Sequence, residues 1–330
     1  MTENFDKYAN AAERMLNFVE TRTTDQAPEV FHVPVTNYLD AERWECEKER
    51  IFKRLPLMLA LTIELPEVND YKAMDVMGMP VVITRAKDGK ARAFLNVCKH
   101  RAAHLAPEGR GNCKAFACPY HGWTYANDGN LMGIAEASTF GDVDRSTLNM
   151  TELPCDEVAG MIFVILTPGL EIDARAWLGD MYEYFADLEL EKWYFHKSKV
   201  MHGANWKVAY DGYLEGYHFQ AAHTNTVATR SPSNRAIYEG HGPHILIGFP
   251  QNAITRLHDL PREDWGKQEN NGYDFIRMLF PNFALFLAPE MCQLAQLFPG
   301  DAPDKNVTVM NYCFPKKPET EEGLKSLDEM

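Results

Sequence analysis

Apolar positions recur at helical spacing in residues 1–25, where Ala11, Met15, Leu16 and Val19 fall on one face. Pro28 and Pro34 close this predicted helix. Asp40 is placed to cap a second helix running through Phe52, with Trp44 and Ile51 on one side. From Met58 to Phe94 the pattern shortens to strands. Val81-Val82-Ile83-Thr84 is a β-branched run, and Asp88-Gly89 is a hairpin turn leading into Ala93-Phe94-Leu95. Asp128-Gly129 marks a second such turn, and residues 160–166 form an apolar run that reads as a buried strand. Pro168-Gly169 is a boundary signal. Beyond it, Trp177, Leu178, Met181, Tyr184, Phe185 and Leu188 form one stripe, predicting a single amphipathic helix over 174–188. A polar strand-like piece spans 194–203. Residues 230–272 are rich in Pro, Gly and Asn and carry His241, His244 and His258. Strands are then predicted at 282–288, 292–298 and 307–314. The pattern describes an α+β chain: a helical segment at 1–39, a small antiparallel all-β module at 40–166, and an α+β portion at 167–330.

With 330 residues the chain can bury a large core, and two domains are the natural expectation. Hydrophobic content of 45% and charged content of 24% are ordinary for a soluble globular protein. A net charge of −14 argues against nucleic acid as a partner, because a phosphate backbone calls for Lys and Arg. Residues 1–20 lack the apolar core of a secretory signal. The longest apolar run, 55–63, is too short to span a bilayer and contains Pro56, so no membrane partner is expected. Cys46, Cys113, Cys155, Cys292 and Cys313 are scattered and odd in number, which predicts a reducing, cytoplasmic setting rather than a disulfide framework.

The chemistry concentrates in two segments. Cys98-Lys99-His100 and Cys118-Pro119-Tyr120-His121 each offer one thiolate and one imidazole. Two sulfurs and two nitrogens suit tetrahedral zinc or a Rieske [2Fe–2S] cluster, in which two His replace two Cys on one iron. Structural zinc sites tend to place two Cys in one half and two His in the other; here each half is mixed, which favours the cluster. In the second segment, Asp211, Glu215 and His218 share one helix face at i, i+4 and i+7. His223 lies roughly 140° away from His218 on an ideal helix. If both imidazoles bind one metal, the helix must bend, unwind or bulge between them. Two His and a carboxylate with open positions make the facial triad of non-haem Fe(II) oxygenases. Read alone, the two histidines also suit surface or core roles, and Asp211 and Glu215 suit capping or solvated ones.

The residues Phe94 to Arg101 and Cys118 to Tyr125 resemble the Rieske segment of the Rieske non-haem iron oxygenases, the ring-hydroxylating oxygenase α subunits. Asn205-Trp206-Lys207, followed by Glu215-X₂-His218-X₄-His223, is similar to the iron segment of the same family. One departure is Ala102, where the family usually has Gly. Another is Glu215, where the family usually has Asp; Glu resembles the branch that oxidises quaternary amines, though it also occurs more widely. The resemblance implies a [2Fe–2S] cluster on Cys98, His100, Cys118 and His121, and a mononuclear Fe(II) on His218 and His223. It implies that Glu215 bridges the iron histidine and a cluster histidine of a neighbouring subunit, and that Asp211 supports the iron site from behind. The implied fold is an antiparallel Rieske domain beside a catalytic domain whose antiparallel sheet is wrapped by helices, with residues 1–39 packing on the latter. The implied assembly is a homotrimer, with room for a β subunit. A separate reductase, with or without a ferredoxin, would bring electrons from NAD(P)H. Substrate and O₂ would then undergo cis-dihydroxylation, monooxygenation or dealkylation. In the family the third iron ligand is a downstream Asp. It is expected beyond Met330, the chain being read as truncated there, with Asp328 as the substitute. Tyr213, Phe219, Leu285 and Phe298 are candidate pocket residues. The rival readings are an electron-transfer Rieske protein and an inactive homologue.

Overall fold

Short apolar strands joined by turn residues build the first unit, which comprises 42–177 and 188–195. The computed structural model describes residues 2–267, 272–288, 291–320, 324, 325 and 328. Three antiparallel sheets make up this unit. One orders β1 (Leu57–Leu61), β11 (Met161–Val164) and β10 (Cys155–Val158). A second runs β5 (Gly109–Asn112), β2 (Asp70–Val76), β3 (Met79–Arg85), β4 (Ala91–Leu95) and β9 (Glu152–Leu153). The third is β6 (Ala115–Ala117), β7 (Thr124–Ala126) and β8 (Leu131–Gly133). Asp88-Gly89 turns β3 into β4, and Asp128-Gly129 turns β7 into β8, as their composition predicts. The hydrophobic core beside the third sheet gathers Phe94, Leu105, Phe116, Trp123 and Tyr125 around Cys98 and Cys118.

The second unit comprises 1–41, 178–187 and 196–330. Six strands follow one another as an antiparallel meander: β13 (Ile237–His241), β14 (His244–Pro250), β15 (Tyr273–Leu279), β16 (Phe283–Ala288), β17 (Met291–Pro299) and β18 (Asn306–Phe314). β12 (Tyr194–Gly203) lies beside β18 and completes a seven-stranded sheet. On one face sits the helix α1 (Thr2–Thr21), which buries Tyr8, Ala11, Ala12, Met15 and Leu16 as a stripe at helical spacing. α2 (Thr36–Leu39) follows, while α3 (Ala41–Glu47) and the wider helical turn that continues it to Phe52 open the first unit. Among the described residues, no helix is long and apolar enough to cross a membrane.

Two expectations about elements are corrected. Residues 174–188 form not one helix but two, α4 (Ala174–Leu178) and α5 (Met181–Ala186). Gly179, at φ +52°, turns the chain between them. The apolar stripe is therefore shared between the units: Trp177 and Leu188 fall in the first, and Leu178, Met181, Tyr184 and Phe185 in the second, where Phe185 packs on Phe283 with ring centroids 6.1 Å apart. The stretch 230–272 holds β13 and β14, and β15 begins immediately after it. Here His241 pairs with His244 across a two-residue turn containing Gly242 at φ +60°. Gly240, Gly248 and Pro250 inside these strands mask the alternation that would have revealed them.

Candidate functional site

The two Cys/His loops of the first unit close in the same way. Cys98 N–H donates to Ala103 O at 2.8 Å and Ala102 N–H to Cys98 O at 2.9 Å. Cys118 N–H donates to Trp123 O at 2.7 Å and Gly122 N–H to Cys118 O at 2.9 Å. This closure needs a left-handed residue four places after each cysteine. Gly122 supplies it at φ +68° and Ala102 at φ +55°. Both thiols are buried, His100 is half-buried and His121 is exposed. The imidazole centroids lie 4.6 Å apart. Trp123 stacks on His100 at 5.0 Å and 7°, Phe140 meets both rings edge-on, and Tyr120 lies 3.8 Å from His121.

Electrostatics prepare this set for metal. Burial raises the Cys118 thiol, but the backbone N–H groups of Tyr120 and His121, with the Cys98 thiol, outweigh it and hold Cys118 below the ordinary thiol range. Loss of hydration, then His121 and Arg101, push His100 toward its neutral, ligating form. Burial, then the Cys98 contact, push the Tyr125 phenol up, so it stays protonated with its oxygen 3.5 Å from Cys98 Sγ. That oxygen also accepts Lys99 N–H at 3.1 Å. Trp123 and Tyr125 were visible in the motif, but their contacts were not. His100 Nδ1 is buried without a hydrogen-bond partner, which fits a metal ligand. Among the described residues no three His, Cys, Asp or Glu side chains converge on one ion. Two thiols and two imidazoles are the donor set of a Rieske two-iron cluster.

The second set lies in the other unit. α6 (Trp206–Tyr213) is capped by the Asn205 side chain, which accepts Lys207 N–H at 2.8 Å. The helix ends at Tyr213, the chain unwinds, and α7 (Phe219–Ala222) restarts it. Asp211, Glu215 and His218 therefore do not share one continuous helix face, which corrects the sequence expectation. Gly216 lies against Phe249, where a Cβ would stand 2.9 Å from the ring. The Glu215 carboxylate accepts the N–H groups of Tyr217 and His218. It also hydrogen-bonds His218 Nδ1, leaving Nε2 as the free nitrogen. The break that the two histidines require is present: α7 stops at Ala222, and His223 leaves it at φ −118°, ψ 34°. The rings come to 5.1 Å.

Asp211 is tied elsewhere, its Oδ2 accepting the Tyr38 hydroxyl at 2.9 Å. Nothing in the sequence signalled Tyr38. Asp328 does not join the histidine pair: its Oδ1 lies 2.9 Å from His196 Nε2, on β12. Residues 321–323, 326, 327, 329 and 330, around Asp328, lie outside the described residues. Phe219 and Tyr213 belong to the apolar cluster between α6, α7 and the sheet. Leu285 and Phe298 do not; strand alternation turns them to the other face, with Arg277 and Leu294.

The chain matches two family models. One, the Rieske [2Fe-2S] domain, covers residues 56–146, and the other, the ring hydroxylating alpha subunit catalytic domain, covers 190–330. It is 28% identical over 208 residues to the anthranilate 1,2-dioxygenase large subunit of Acinetobacter baylyi, spanning 61% of this chain and 44% of that protein. It is 32% identical over 202 residues to the carnitine monooxygenase oxygenase subunit of Escherichia coli, spanning 59% and 53%. The chain thus spans about half the length of these relatives. Among solved structures, a quaternary ammonium Rieske monooxygenase in complex with L-carnitine superposes with a TM-score of 0.76 at 25% identity, covering 90% of this chain and 78% of that one. Naphthalene 1,2-dioxygenase from Rhodococcus sp. shares the fold at a TM-score of 0.74 and 23% identity, covering 96% and 79%. Two successive domain matches, a matching fold and the paired Cys/His loops agree, and the chain belongs to the family of Rieske oxygenase alpha subunits.

Proposed function

We propose that this chain is the terminal oxygenase component of a Rieske-type system, hydroxylating an organic substrate with O₂ and electrons delivered from NAD(P)H by a separate reductase. One observation carries the reading: a buried thiol pair with two imidazoles in one unit, and a Glu-supported imidazole pair in the other, within a single chain. Cys98, His100, Cys118 and His121 would hold the [2Fe–2S] cluster, and His218 and His223 the mononuclear Fe(II). When bound, these groups supply single-electron transfer and O₂ activation. The residues do the rest. Trp123 fixes the plane of His100. Tyr125 and the backbone N–H groups of Tyr120 and His121 stabilise negative charge on the sulfurs. Glu215 keeps a proton on His218 Nδ1, orients the ring and leaves Nε2 free to ligate.

A homotrimer in the cytoplasm, with a reductase and with or without a ferredoxin, completes the proposal. A second reading, a dealkylating or quaternary-amine monooxygenase, is favoured by Glu215 and by the likeness to carnitine monooxygenase oxygenase subunits. Iron and acid-labile sulfide in the anaerobically purified protein test the main reading. Sulfide with iron in excess of it supports the reading, provided that His218→Ala loses the excess iron and keeps the sulfide. Zinc without sulfide overturns it.

A further inference from the structure

The segment between α1 and α2 is the reverse of a solvated loop. Residues 26–36 are exposed at every position. Val30 is 84%, Phe31 82% and Val35 66% exposed, and Val33 stands open beside them. Single exposed apolar side chains are ordinary, but a run of them forms a patch that marks a binding surface. The segment is fastened at both ends. Asp25 N–H donates to Ala236 O at 3.2 Å, and its carboxylate accepts Tyr238 N–H at 2.9 Å. At the other end the Tyr38 hydroxyl donates to Asp211 at 2.9 Å, and Asn205 Nδ2 donates to Tyr38 O at 2.7 Å. Among the described residues, 26–33 make no hydrogen bond between these anchors. A backbone held extended in this way loses conformational entropy with no internal contact to offset it. Its charge pattern points to the occupant. From Val30 to Leu39 no side chain is formally charged, in a chain of net charge −14. Copies of one acidic chain repel each other, and they meet at least cost on uncharged, apolar surface. A basic partner would be drawn to the acidic surface elsewhere. The size is also adequate. Residues 26–36 supply about half of the roughly 20–30 residues that a stable interface takes from each side. Leu39, Tyr238 and Val208, all exposed, extend the patch at its anchors, with Val208 one helical turn before Asp211.

We propose that residues 26–39 form a strap that a second copy of this chain buries, with Phe31 and Val35 as its principal contacts. The two fastened ends present the strap in one conformation, so little further ordering is needed when the second copy arrives. This inference rests on the self-association in the reading above and names the surface that makes it.

The test is sedimentation velocity of the metal-loaded protein over a dilution series at physiological salt, with brief chymotrypsin digestion of the same dilutions. The parent assembles as its concentration rises. Phe31→Asp weakens assembly by about thirtyfold or more, the factor that one interface hot spot sets. Val35→Asp acts in the same direction. Val200→Asp adds the same charge at an exposed position on β12, away from the strap, and leaves assembly unchanged. The substituted positions are exposed, so thermal melts of all variants match the parent at concentrations where each is a single chain. In the unaltered protein, chymotrypsin cuts after Phe31 in dilute solution, and the cut is lost as the protein assembles. Assembly indifferent to both strap variants, an equal loss with Val200→Asp, or a cut after Phe31 that persists in the assembled protein overturns the proposal. A parent that stays a single chain at every concentration overturns it together with the homotrimer. Iron and sulfide measured on the same samples keep the enzyme reading apart. Protein that holds both and fails these tests sinks the strap and leaves the oxygenase reading standing, whereas zinc without sulfide sinks the oxygenase reading.

Discussion

Ala102 bears a cost that Gly122, at the equivalent place in the other loop, does not. A Cβ in the left-handed region is disfavoured by about 1–2 kcal/mol, part of which is offset by the freedom glycine loses on folding. Ala102→Gly is therefore expected to stabilise the protein by about 0.5–1 kcal/mol, and Gly122→Ala to destabilise it by a similar amount, read from urea unfolding midpoints. The reverse order would show that the loops are not equivalent. The Cys98–Trp123 segment was legible in the sequence because its ligand spacing and turn residues are local. Its surroundings were not. That Trp123 stacks on His100 and that Tyr125 reaches Cys98 depend on how β7 folds back, which no spacing rule contains. Tyr38 on Asp211 is a contact between residues far apart in the chain, invisible for the same reason.

At the level of elements, two sheets of the first unit are joined by Arg85 on β3 and Glu157 on β10. Two guanidinium nitrogens meet the carboxylate at 2.5 and 2.8 Å, and Thr62 adds a hydroxyl at 2.6 Å. Burial raises this carboxyl, but Arg85 and Thr62 outweigh it and hold it below the ordinary glutamate range. A group depressed in the folded state contributes stability above its unfolded pKa and loses it as pH falls through the folded value. Glu157→Gln should cost about 1–3 kcal/mol at pH 7, with the gap to the parent closing as pH drops below the ordinary glutamate range. A gap that does not change with pH would mean the carboxylate's charge is not what holds the strands. Arg277 is the opposite case: fully buried, it gives Nε to Tyr184 O at 2.9 Å, while Nη1 and Nη2 find no partner. Arg277→Met should stabilise the fold by about 1 kcal/mol or more, measured by thermal melting, because an unsatisfied guanidinium costs more than its packing returns. The helix–strand–helix order was legible wherever periodicity was clean, as in α1 and in β16 to β18. It failed at β13 and β14, where glycines interrupt the alternation, and at α6–α7, where the helix stops at Tyr213 and Gly216 beyond it lies against Phe249 on a distant strand.

For the whole molecule, the net charge of −14 opposes the self-association proposed above. Screening lengths shrink from about 30 Å at 0.01 M salt to about 8 Å at 0.15 M. Sedimentation velocity should therefore show lighter species at low ionic strength and a heavier assembly near physiological salt. Assembly that weakens as salt rises would point to an interface built on opposite charges instead. Residues 214–217 belong to neither α6 nor α7, so the imidazole pair rides on a single helical turn. That turn is tied by Gln220 to Ser233, and the segment before it by Gly216 to Asn234; among the described residues no hydrogen bond joins either to the sheet. Apart from Phe249, against which Gly216 lies, the strands below can exchange side chains while the turn keeps its geometry. On the oxygenase reading proposed above, selection for a new diet of substrates and selection for retaining iron would act on different residues, and descendants of one ancestral chain could diverge in the first while inheriting the second intact.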